Sequence, residues 1–403
     1  MRILLVGLNF EPEPIGIAPY TTGLCDHLSA NGHDVDVIVG VPHYPQWVVD
    51  SGYRRTWSTE ERRGSASVHR KRHYVPKTAG LLGRIMMEST FAARVALSGW
   101  RRVDVAVTVS PSLVASAVTI AIARVRRTPT VLWAQDLYGS GAVETGIGRS
   151  APSGLIKWFE AMVTRAATRV VVPHRRLADT IVREYGTSRE SVRAIRNWSR
   201  LPAQQDINTR VLAELSDRQF VIHAGNIGHK QGLEHFVDCA RLAAEEGDDL
   251  LFVVLGDGNR RNAVQEYAAG VPNMVFIDPV ADGDFHRLLS AARVLVVNEA
   301  PGIREMAMPS KLSAYFAAGK PVVAAVHPES ATASEVCASG AGIVVSNTDP
   351  SDMVENLRRL ISDEAEADRL GRNGLDHSTR VLSSESCLAR WDDVLMAVVG
   401  QGS

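Results

Sequence analysis

Residues 220–256 read FVIHAGNIGHKQGLEHFVDCARLAAEEGDDLLFVVLG, and this stretch decides the fold class. It opens with a short apolar run, residues 220–223, passes a loop with three glycines, and continues into a helical pattern over residues 233–246. A second apolar run follows at 250–255. Two apolar runs joined by a helical pattern predict two parallel strands with a crossover helix, the repeating unit of a doubly wound sheet.

The same unit recurs along the whole chain. Short runs rich in Val, Ile and Leu lie at 3–6, 35–39, 103–109, 130–133, 170–172 and 192–195, and again at 220–223, 250–255, 274–277, 294–297, 321–325 and 343–345. They are continuous rather than alternating, which is typical of strands buried on both faces of a parallel sheet. About six strands per half are too many for one compact sheet. The sequence therefore predicts an α/β fold of two tandem doubly wound, Rossmann-like parallel-sheet domains facing a cleft.

The domain boundary is expected in the polar stretch at residues 201–208, after the last strand of the first half. The predicted N-terminal domain spans 1–203 and is completed by a last helix at 383–403. The predicted C-terminal domain spans 204–382. Ligands of such sheets bind beyond the carboxyl ends of strands, so we expect the site in loops that follow strands.

The net charge is only −1, from 44 Lys and Arg against 45 Asp and Glu in 403 residues. A dedicated nucleic-acid binder usually carries a basic excess, so that class is disfavoured. The balance hides an asymmetry, because residues 1–200 carry +11 and residues 201–403 carry −12. Such a split suggests two domains with different partners.

The four cysteines and the apolar runs indicate the compartment. Cys25, Cys239, Cys337 and Cys387 lack C-x-x-C spacing, which disfavours a zinc site and a disulfide framework. The first apolar run is too short for a signal peptide, and no run of 18 apolar residues occurs. We therefore expect a cytoplasmic protein.

A basic segment follows the second predicted strand. It contains Arg54, Arg55, Arg62, Arg63, Arg70, Lys71, Arg72 and Lys77. A mostly apolar helical pattern at residues 80–100, with Arg84 and Arg94, comes next. Basic residues beside an apolar helix are typical of a peripheral membrane contact or of a seat for an anionic lipid. A solvated basic face beside a core helix is the alternative.

The loops after the first two predicted strands differ from those of dinucleotide-binding proteins. The first holds one late glycine, Gly16, where the G-x-G-x-x-G fingerprint needs three, which disfavours an NAD enzyme. A glycine near a helix N-terminus still lets backbone amides reach an anion, although a plain surface turn is the alternative. The next loop, VPHYPQW, holds His43, Tyr44 and Trp47. A stiff aromatic loop of this kind suits the binding of a sugar acceptor. Packing of the loop against the rest of the protein would account for these residues equally well.

Asp136 follows the apolar run at 130–133, beyond the carboxyl end of a predicted buried strand. An unpaired carboxylate is costly in such a place. Asp136 could therefore hold an acceptor hydroxyl or act as a general base. Capping of the following helix is the alternative.

A more specific loop opens the second half. Gly225, Gly228 and Gly232 surround Lys230 just before a predicted helix. Glycines expose backbone donors, a helix N-terminus is partly positive, and lysine adds a point charge, which together suit a diphosphate. A flexible turn with a surface lysine is the alternative.

Two further loops follow predicted strands, at positions where the backbone could contact the base and ribose of a nucleotide. Gly256 and Asp257 follow the strand at 250–255, and Pro279 and Val280 follow the next strand. Ordinary turns between elements explain both segments as well. We treat these four residues as candidates for donor binding.

The loop at residues 298–311 ends in Ser310 and Lys311. Ser310 is typical of a helix cap, which places Lys311 in the first turn, where a cation opposes the helix dipole at a cost of up to roughly 1 kcal/mol. An anionic ligand at that helix end would offset the cost. Glu299 and Ser310, in the same loop, are further candidates for donor binding.

One acidic motif is discounted. Asp282-Gly-Asp284 has the D-x-D form of metal-dependent sugar transferases, but it precedes a predicted helix. Capping explains it better. We therefore assign no metal and no other cofactor.

Taken together, these segments resemble the retaining GT-B glycosyltransferases of family 4. The resemblance is carried by GNIGHKQG at 225–232, GDG at 256–258 and PSKLSAYFAAGKPVV at 309–323. In the first half, FEPEPIG at 10–16 with HYPQW at 43–47 resembles the branch that builds colanic acid and O-antigen-type polysaccharides. The motifs cover nearly the whole chain, in the family's order.

The resemblance implies a role for each domain. The second domain would bind a nucleotide-diphosphate sugar, with Lys230 on the pyrophosphate, Lys311 in a similar role and Gly16 approaching from the first domain. The base would meet the residues around Pro279 and Val280. The first domain would bind the acceptor, for which the candidates are Tyr20, His43, Tyr44 and Trp47.

Three departures from the family pattern stand out. The second glutamate of the family's E-x7-E pair falls on Ala314 and the first near Met306, with Glu305 one place away. Asn226, which is also a candidate for donor binding, stands where an arginine commonly precedes the phosphate lysine, and Ser110 stands where a histidine is often found. The ribose contact and the catalytic geometry are left open by these changes.

The resemblance implies a metal-independent hexosyltransferase that moves a sugar from the donor to an acceptor hydroxyl with retention, in cell-surface polysaccharide or glycolipid biosynthesis. The acceptor would be a lipid-linked or small-molecule sugar, at the inner face of the membrane. The candidate catalytic residues are Lys230, Lys311, Asp136 and Glu305. Two alternatives are a nucleotide-sugar 2-epimerase of the same plan and a catalytically inactive partner protein that binds nucleotide sugars.

Overall fold

The computed structural model describes residues 1–13, 16–77, 81–137, 152–198, 215, 218–303 and 311–400. The chain divides into two compact units, Met1–Asn197 with Cys387–Ser403, and Trp198–Ser386. Each unit is built on one open sheet with flanking helices. The α/β class of two parallel-sheet domains is confirmed. The polar stretch at 201–208 lies outside the described residues.

The first unit contains an eight-stranded sheet in the order β3-β4-β2-β1-β5-β6-β7-β8. Its strands are β1 Arg2–Gly7, β2 Asp34–Gly40, β3 Ser58–Arg63, β4 Ala66–Lys71, β5 Val105–Val109, β6 Thr130–Trp133, β7 Arg169–Val172 and β8 Val192–Ala194. All neighbours are parallel except β3 and β4. In the central register, Ile3 lies between Val35 and Val105.

Two strands of this sheet are absent from the sequence prediction. β3 and β4 form an antiparallel hairpin within the basic segment, which was expected only as a charged stretch. β3 reads STEERR, so it has no continuous apolar run, and it lies at the edge of the sheet. An edge strand that is largely exposed to solvent needs few apolar residues. The search for apolar runs therefore missed β3.

The helices of the first unit are α1 Ala18–Ala30, α2 Leu81–Ala96, α3 Leu113–Val125, α4 Pro152–Ala166 and α5 Arg175–Tyr185. The last helix, Ser384–Gly400, which is α13 in chain order, also packs on this unit. Its Trp391 ring lies 4.7 Å from the ring of Trp133 at the end of β6, and Asp392 pairs with His27 of α1 at 2.9 Å.

The second unit contains a six-stranded, fully parallel sheet in the order β11-β10-β9-β12-β13-β14. Its strands are β9 Phe220–Ala224, β10 Leu251–Leu255, β11 Met274–Ile277, β12 Val294–Asn298, β13 Val322–Ala325 and β14 Gly342–Val345. Its helices are α6 Glu234–Glu245, α7 Arg261–Tyr267, α8 Asp282–Ala291, α9 Lys311–Ala317, α10 Ala331–Ser339, α11 Pro350–Ser362 and α12 Glu364–Arg380.

Helices cover both faces of this sheet, and its inner strands β9, β10, β12 and β13 are buried on both sides. On β10, Phe252 and Val254 belong to one core with Phe236, whereas Val253 and Leu255 belong to the other. This two-sided burial is the physical reason for the continuous apolar runs in the sequence. Within the described ranges, no helix is long and apolar enough to cross a membrane.

Candidate functional site

The strand order of the second sheet reverses between β9 and β12. From β9 the chain adds β10 and β11 on one side, and from β12 it adds β13 and β14 on the other. Ligands of open α/β sheets bind outside the carboxyl ends of the strands where the order reverses. The loops after β9 and β12 therefore form the candidate site of this unit.

Lys311 reaches this place from the first position of α9. Its Nζ lies 2.9 Å from Nε2 of His223, a fully buried residue near the end of β9. The same side chain passes over Gly225, where an added Cβ would lie 3.4 Å from Cε and 3.6 Å from Nζ of Lys311. The structure thus brings Lys311 and Gly225 together.

Burial controls the charge of this pair. Burial lowers the pKa of Lys311 to about 7, and the negative charge of Glu299 opposes this shift only in part. Burial, and then the charge of Lys311, hold the pKa of His223 well below its ordinary value. His223 is therefore neutral, and its Nε2 accepts a hydrogen bond from the Lys311 ammonium. An anion bound beside Lys311 would favour the charged lysine.

The loop after β9 lies against the loop after β10, backbone to backbone. Gly225 N–H donates to the carbonyl of Leu255 at 2.8 Å, and Ile227 N–H donates to the carbonyl of Asp257 at 2.9 Å. A Cβ at Gly256 would lie 1.9 Å from the carbonyl oxygen of Gly225, and the φ of Gly256 is +141°. Only glycine fits there. Gly225, Gly256 and Asp257, all predicted donor-binding residues, are therefore neighbours.

Asn298, the last residue of β12, ties its loop to the glycine loop. Its Nδ2 donates to the carbonyls of Gln231 at 2.7 Å and Gly232 at 2.8 Å. These hydrogen bonds bind the two loops at the switch point, so the site is held by backbone contacts as well as side chains.

Glu299 follows directly and adds the negative charge near Lys311. Its Oε1 accepts a hydrogen bond from the hydroxyl of Thr332, on α10, at 2.5 Å. The predicted donor-binding residue Glu299 is thus at the same place as Lys311. Two other predicted residues of this loop, Glu305 and Ser310, lie outside the described residues.

Lys230 lies on the outer side of the glycine loop, in the single turn His229–Gln231. Its side chain is exposed, and its carbonyl accepts the N–H of Ala300 at 2.8 Å. Asn226 is exposed as well. Among the described residues, no hydrogen bond or ion pair holds the Lys230 ammonium, in contrast to Lys311.

Pro279 and Val280 follow β11, two strands away from β9. Pro279 is exposed, and Val280 packs partly against the core. The loop is tied to its neighbour by Arg261, which pairs with Asp278 at 2.6 Å and donates to the carbonyl of Gly256 at 3.0 Å. The candidates for the nucleotide base therefore lie along the same sheet edge, farther from Lys311.

In the first unit, a buried carboxylate ties the loop after β1 to the loop after β2. Oε1 of Glu13 accepts the backbone N–H groups of His43 at 2.8 Å and Tyr44 at 2.9 Å. Its Oε2 accepts the side-chain amide of Asn9 at 2.7 Å. Hydrogen bonds to an ionised acceptor are the stronger kind, so Glu13 holds the predicted acceptor loop in place.

The rings of that loop pack edge to face. The ring of His43 lies 4.9 Å from that of His73 and 6.1 Å from that of Trp47, and Tyr44 lies 6.0 Å from Trp47. Nδ1 of His43 lies 3.0 Å from the carbonyl of Val41, so that nitrogen carries the proton. Burial and the nearby His43 lower the pKa of His73 to about 3. His43 is buried in this cluster, whereas Tyr44 and Trp47 are partly exposed.

The other predicted residues of the first unit lie around this loop or along the same edge. Gly16 has a φ of +70°, and an added Cβ would lie 3.6 Å from the ring of Tyr44. Tyr20 lies in α1 and is partly buried. Asp136 follows β6 and is exposed. Its neighbour Gln135 donates its N–H to a serine hydroxyl of the loop after β5 at 3.0 Å.

Two residues that hold these candidate sites together were missed by the sequence analysis. His223 is a polar residue inside an apolar run, directly ahead of the glycine loop, and that position is the signal that could have revealed it. Glu13 lies between two prolines in the first loop, and two of the three hydrogen-bond partners of its carboxylate are 30 and 31 residues away. Nothing local identifies such a carboxylate as buried.

Comparison with known proteins gives matches in both halves. Residues 16–198 match the family model described as a glycosyl transferase 4-like domain, and residues 218–363 match the one described as glycosyl transferases group 1. The chain is 29% identical over 337 residues to "Putative colanic acid biosynthesis glycosyl transferase WcaI" of Escherichia coli K12, with 79% of this chain and 82% of that protein aligned.

Solved structures share the fold. Sucrose-phosphate synthase from Thermosynechococcus elongatus superposes with a TM-score of 0.73 at 17% identity, with both chains fully covered. Anabaena HepE, solved with UDP and glucose, superposes with a TM-score of 0.67 at 14% identity, covering 98% of this chain and 100% of the other. These likenesses show the two-domain GT-B fold.

Proposed function

We propose that this protein is a glycosyltransferase, because its chain joins a glycosyl transferase 4-like domain to a glycosyl transferases group 1 domain. It moves a sugar from a nucleotide-diphosphate sugar to an acceptor hydroxyl, with retention of the anomeric configuration. The proposal rests on the position of Lys311. This lysine lies at the switch point of the second sheet and has a pKa of about 7.

The second unit binds the donor in this proposal. A diphosphate beside Lys311 supplies the negative charge that stabilises the ammonium, and the glycine loop offers backbone at close range. Glu299 and Asp257 face the sugar and ribose hydroxyls, and the base lies toward Pro279 and Val280. HepE, which shares the fold, was solved with UDP and glucose.

The proposed reaction breaks the bond between the anomeric carbon and the diphosphate oxygen. A new bond forms from the acceptor oxygen to the same face of that carbon, and the acceptor proton passes to the leaving phosphate. Lys311 stabilises the charge that grows on the leaving group, and Lys230 approaches it from the outer loop. One preorganised donor of this kind contributes roughly 3–4 kcal/mol to lowering the barrier. The reaction as proposed uses no metal ion, and Asp136 and Glu305 are its remaining catalytic candidates.

The first unit binds the acceptor in this proposal, with Tyr44 and Trp47 as the accessible rings of a loop held by Glu13. Tyr20 and His43 complete that side, and Gly16 remains a candidate for donor binding. WcaI carries a name that assigns it to colanic acid biosynthesis. By analogy we propose a cell-surface polysaccharide or glycolipid as the product, made in the cytoplasm on a lipid-linked or small-molecule sugar acceptor.

Two measurements test this function. Thermal shifts with UDP-, GDP- and dTDP-sugars identify the donor, because a ligand at 100 times its dissociation constant stabilises a protein by roughly 2.7 kcal/mol. NMR of the product formed from that donor then gives the anomeric configuration. An inverted product would overturn retention. Conversion of the donor sugar without any acceptor would favour the 2-epimerase, and tight binding without turnover would favour the inactive partner protein.

A further inference from the structure

One face of α2 is exposed although it carries no charge. The buried face contributes Met87, Phe91, Ala92 and Val95 to the core of the first unit. The opposite face, which we term the docking face, consists of the exposed residues Leu82, Ile85, Met86, Ser89, Ala93 and Ala96. The helix is thus largely apolar on both sides. A face of this kind marks a contact surface.

The largest side chains of the docking face point into solvent at one end of the helix. Leu82 is 78% exposed, Met86 is 53% exposed and Ile85 is 47% exposed. The single carboxylate of α2, Glu88, is buried and accepts the N–H of Val114 at 3.1 Å. No acidic side chain of the helix therefore faces outward.

An exposed tryptophan extends the docking face. Trp57 is 68% exposed, and the guanidinium carbon of Arg94 lies 4.7 Å from the centre of its ring. Arg94 also donates to the carbonyl of Trp57 at 3.2 Å, so the hairpin side of the surface is joined to α2. Tryptophan is favoured where one side of a residue meets an apolar layer and the other meets water.

The surroundings of the docking face are basic. Residues 46–102 contain twelve Lys and Arg against four Asp and Glu. Two of the arginines are engaged in ion pairs within the unit: Arg63 pairs with Asp26 at 2.5 Å, and Arg70 pairs with Glu61 at 2.9 Å. Exposed cations remain in the chain segments that precede and follow the helix, namely Arg54, Arg55, Lys77, Arg101 and Arg102.

We propose that the docking face and Trp57 lie in the headgroup layer of an anionic bilayer, with the flanking cations on the lipid phosphates. An apolar face with exposed cations in the adjoining chain segments has the complementarity that an anionic membrane surface requires. A second copy of this chain is the poorer partner, because two surfaces of the same charge would be brought together. The inference goes beyond the proposed function and does not depend on it.

Flotation of the full chain with lipid vesicles tests the proposal. We expect binding to vesicles of phosphatidylcholine with phosphatidylglycerol, and little binding to phosphatidylcholine alone. The double variant Leu82→Ser with Met86→Gln should bind the anionic vesicles at least tenfold less. The matched control is Leu375→Ser with Met396→Gln, since both of these residues are exposed apolar side chains on other helices. The control should bind like the wild type, and thermal melts should show that both variants fold.

Three outcomes would overturn the proposal: no binding of the wild type to anionic vesicles, equal losses in both double variants, or a change of oligomeric state that is confined to the α2 variant. The last outcome would assign the docking face to a second copy. Donor binding, measured in solution, should be the same in wild type and α2 variant. A failure of the membrane contact is therefore distinguishable from a failure of the proposed function.

Discussion

Donor binding should depend on the charge of Lys311, and therefore on pH. In the free protein the pKa of Lys311 is about 7, so about half of the molecules carry the charge at pH 7. At pH 6 roughly nine in ten are charged, and at pH 8 roughly one in eleven. If only the charged form binds a diphosphate well, the dissociation constant of the nucleotide sugar should be about tenfold larger at pH 8 than at pH 6.

Isothermal titration calorimetry measures this directly. Binding at pH 8 in two buffers of different ionisation enthalpy should show uptake of nearly one proton in the wild type. Lys311→Arg keeps the charge at every pH and should remove both the proton uptake and the pH dependence. Among the described residues, the groups that act on Lys311 are Glu299 and the neutral His223. A pH-independent affinity in the wild type would refute the reasoning, as would a dependence that persists in Lys311→Arg.

A neutral residue in place of Lys311 should weaken donor binding but stabilise the free protein. The pKa of Lys311 is lower in the folded chain than its ordinary value of 10.5. The unfolded chain therefore holds more protons between about pH 7 and pH 10.5, and the free energy of unfolding rises with pH across this window. Lys311→Met should stabilise the free protein by roughly 2–4 kcal/mol at pH 7, and this gain should fade as the pH approaches 10.5. Urea denaturation at pH 7 and pH 9.5 measures the difference.

Three further substitutions test the surroundings of the two sites. Glu13→Ala should destabilise the protein by roughly 1–3 kcal/mol, because the buried N–H of His43 and the partly buried N–H of Tyr44 lose their acceptor, and urea denaturation measures the loss. Gly256→Ala should cost roughly 3 kcal/mol, since its Cβ would meet a carbonyl oxygen at 1.9 Å, whereas Gly154→Ala, with nothing within 4 Å, should be neutral or stabilising in thermal melts. His223→Phe keeps a ring but removes the nitrogen that holds Lys311, so kcat should fall about tenfold in steady-state assays while the fold is kept. Unchanged kcat would mean that Lys311 does not need this partner.

The strands were predictable wherever they carry a continuous run of apolar residues. Continuous runs of Val, Ile and Leu located all six strands of the second sheet. In the first sheet the same rule missed β3 and β4. β3, of sequence STEERR, is only half-buried on one face, and β4, although largely buried, includes the polar residues Ser67 and Arg70. Burial on one face leaves a weaker sequence pattern than burial on two.

The site was predictable as a set of loops but not as a set of contacts. Glycines after strands located the backbone cradle, since their conformational role is local. The pairing of Lys311 with His223 spans 88 residues and depends on how α9 packs on β9, which no local pattern encodes. The basic segment shows the same limit, because charge alone did not distinguish Arg63 and Arg70, which pair internally, from the arginines that remain exposed.

The most direct test of the account is transfer of labelled sugar from the nucleotide sugar selected by thermal shift into an acceptor, compared between wild type and Lys311→Met. We predict product from the wild type, and a 10²- to 10³-fold lower kcat in Lys311→Met, which corresponds to the loss of one preorganised charge donor of about 3–4 kcal/mol. Undiminished transfer by Lys311→Met would contradict the central claim that Lys311 stabilises the leaving diphosphate.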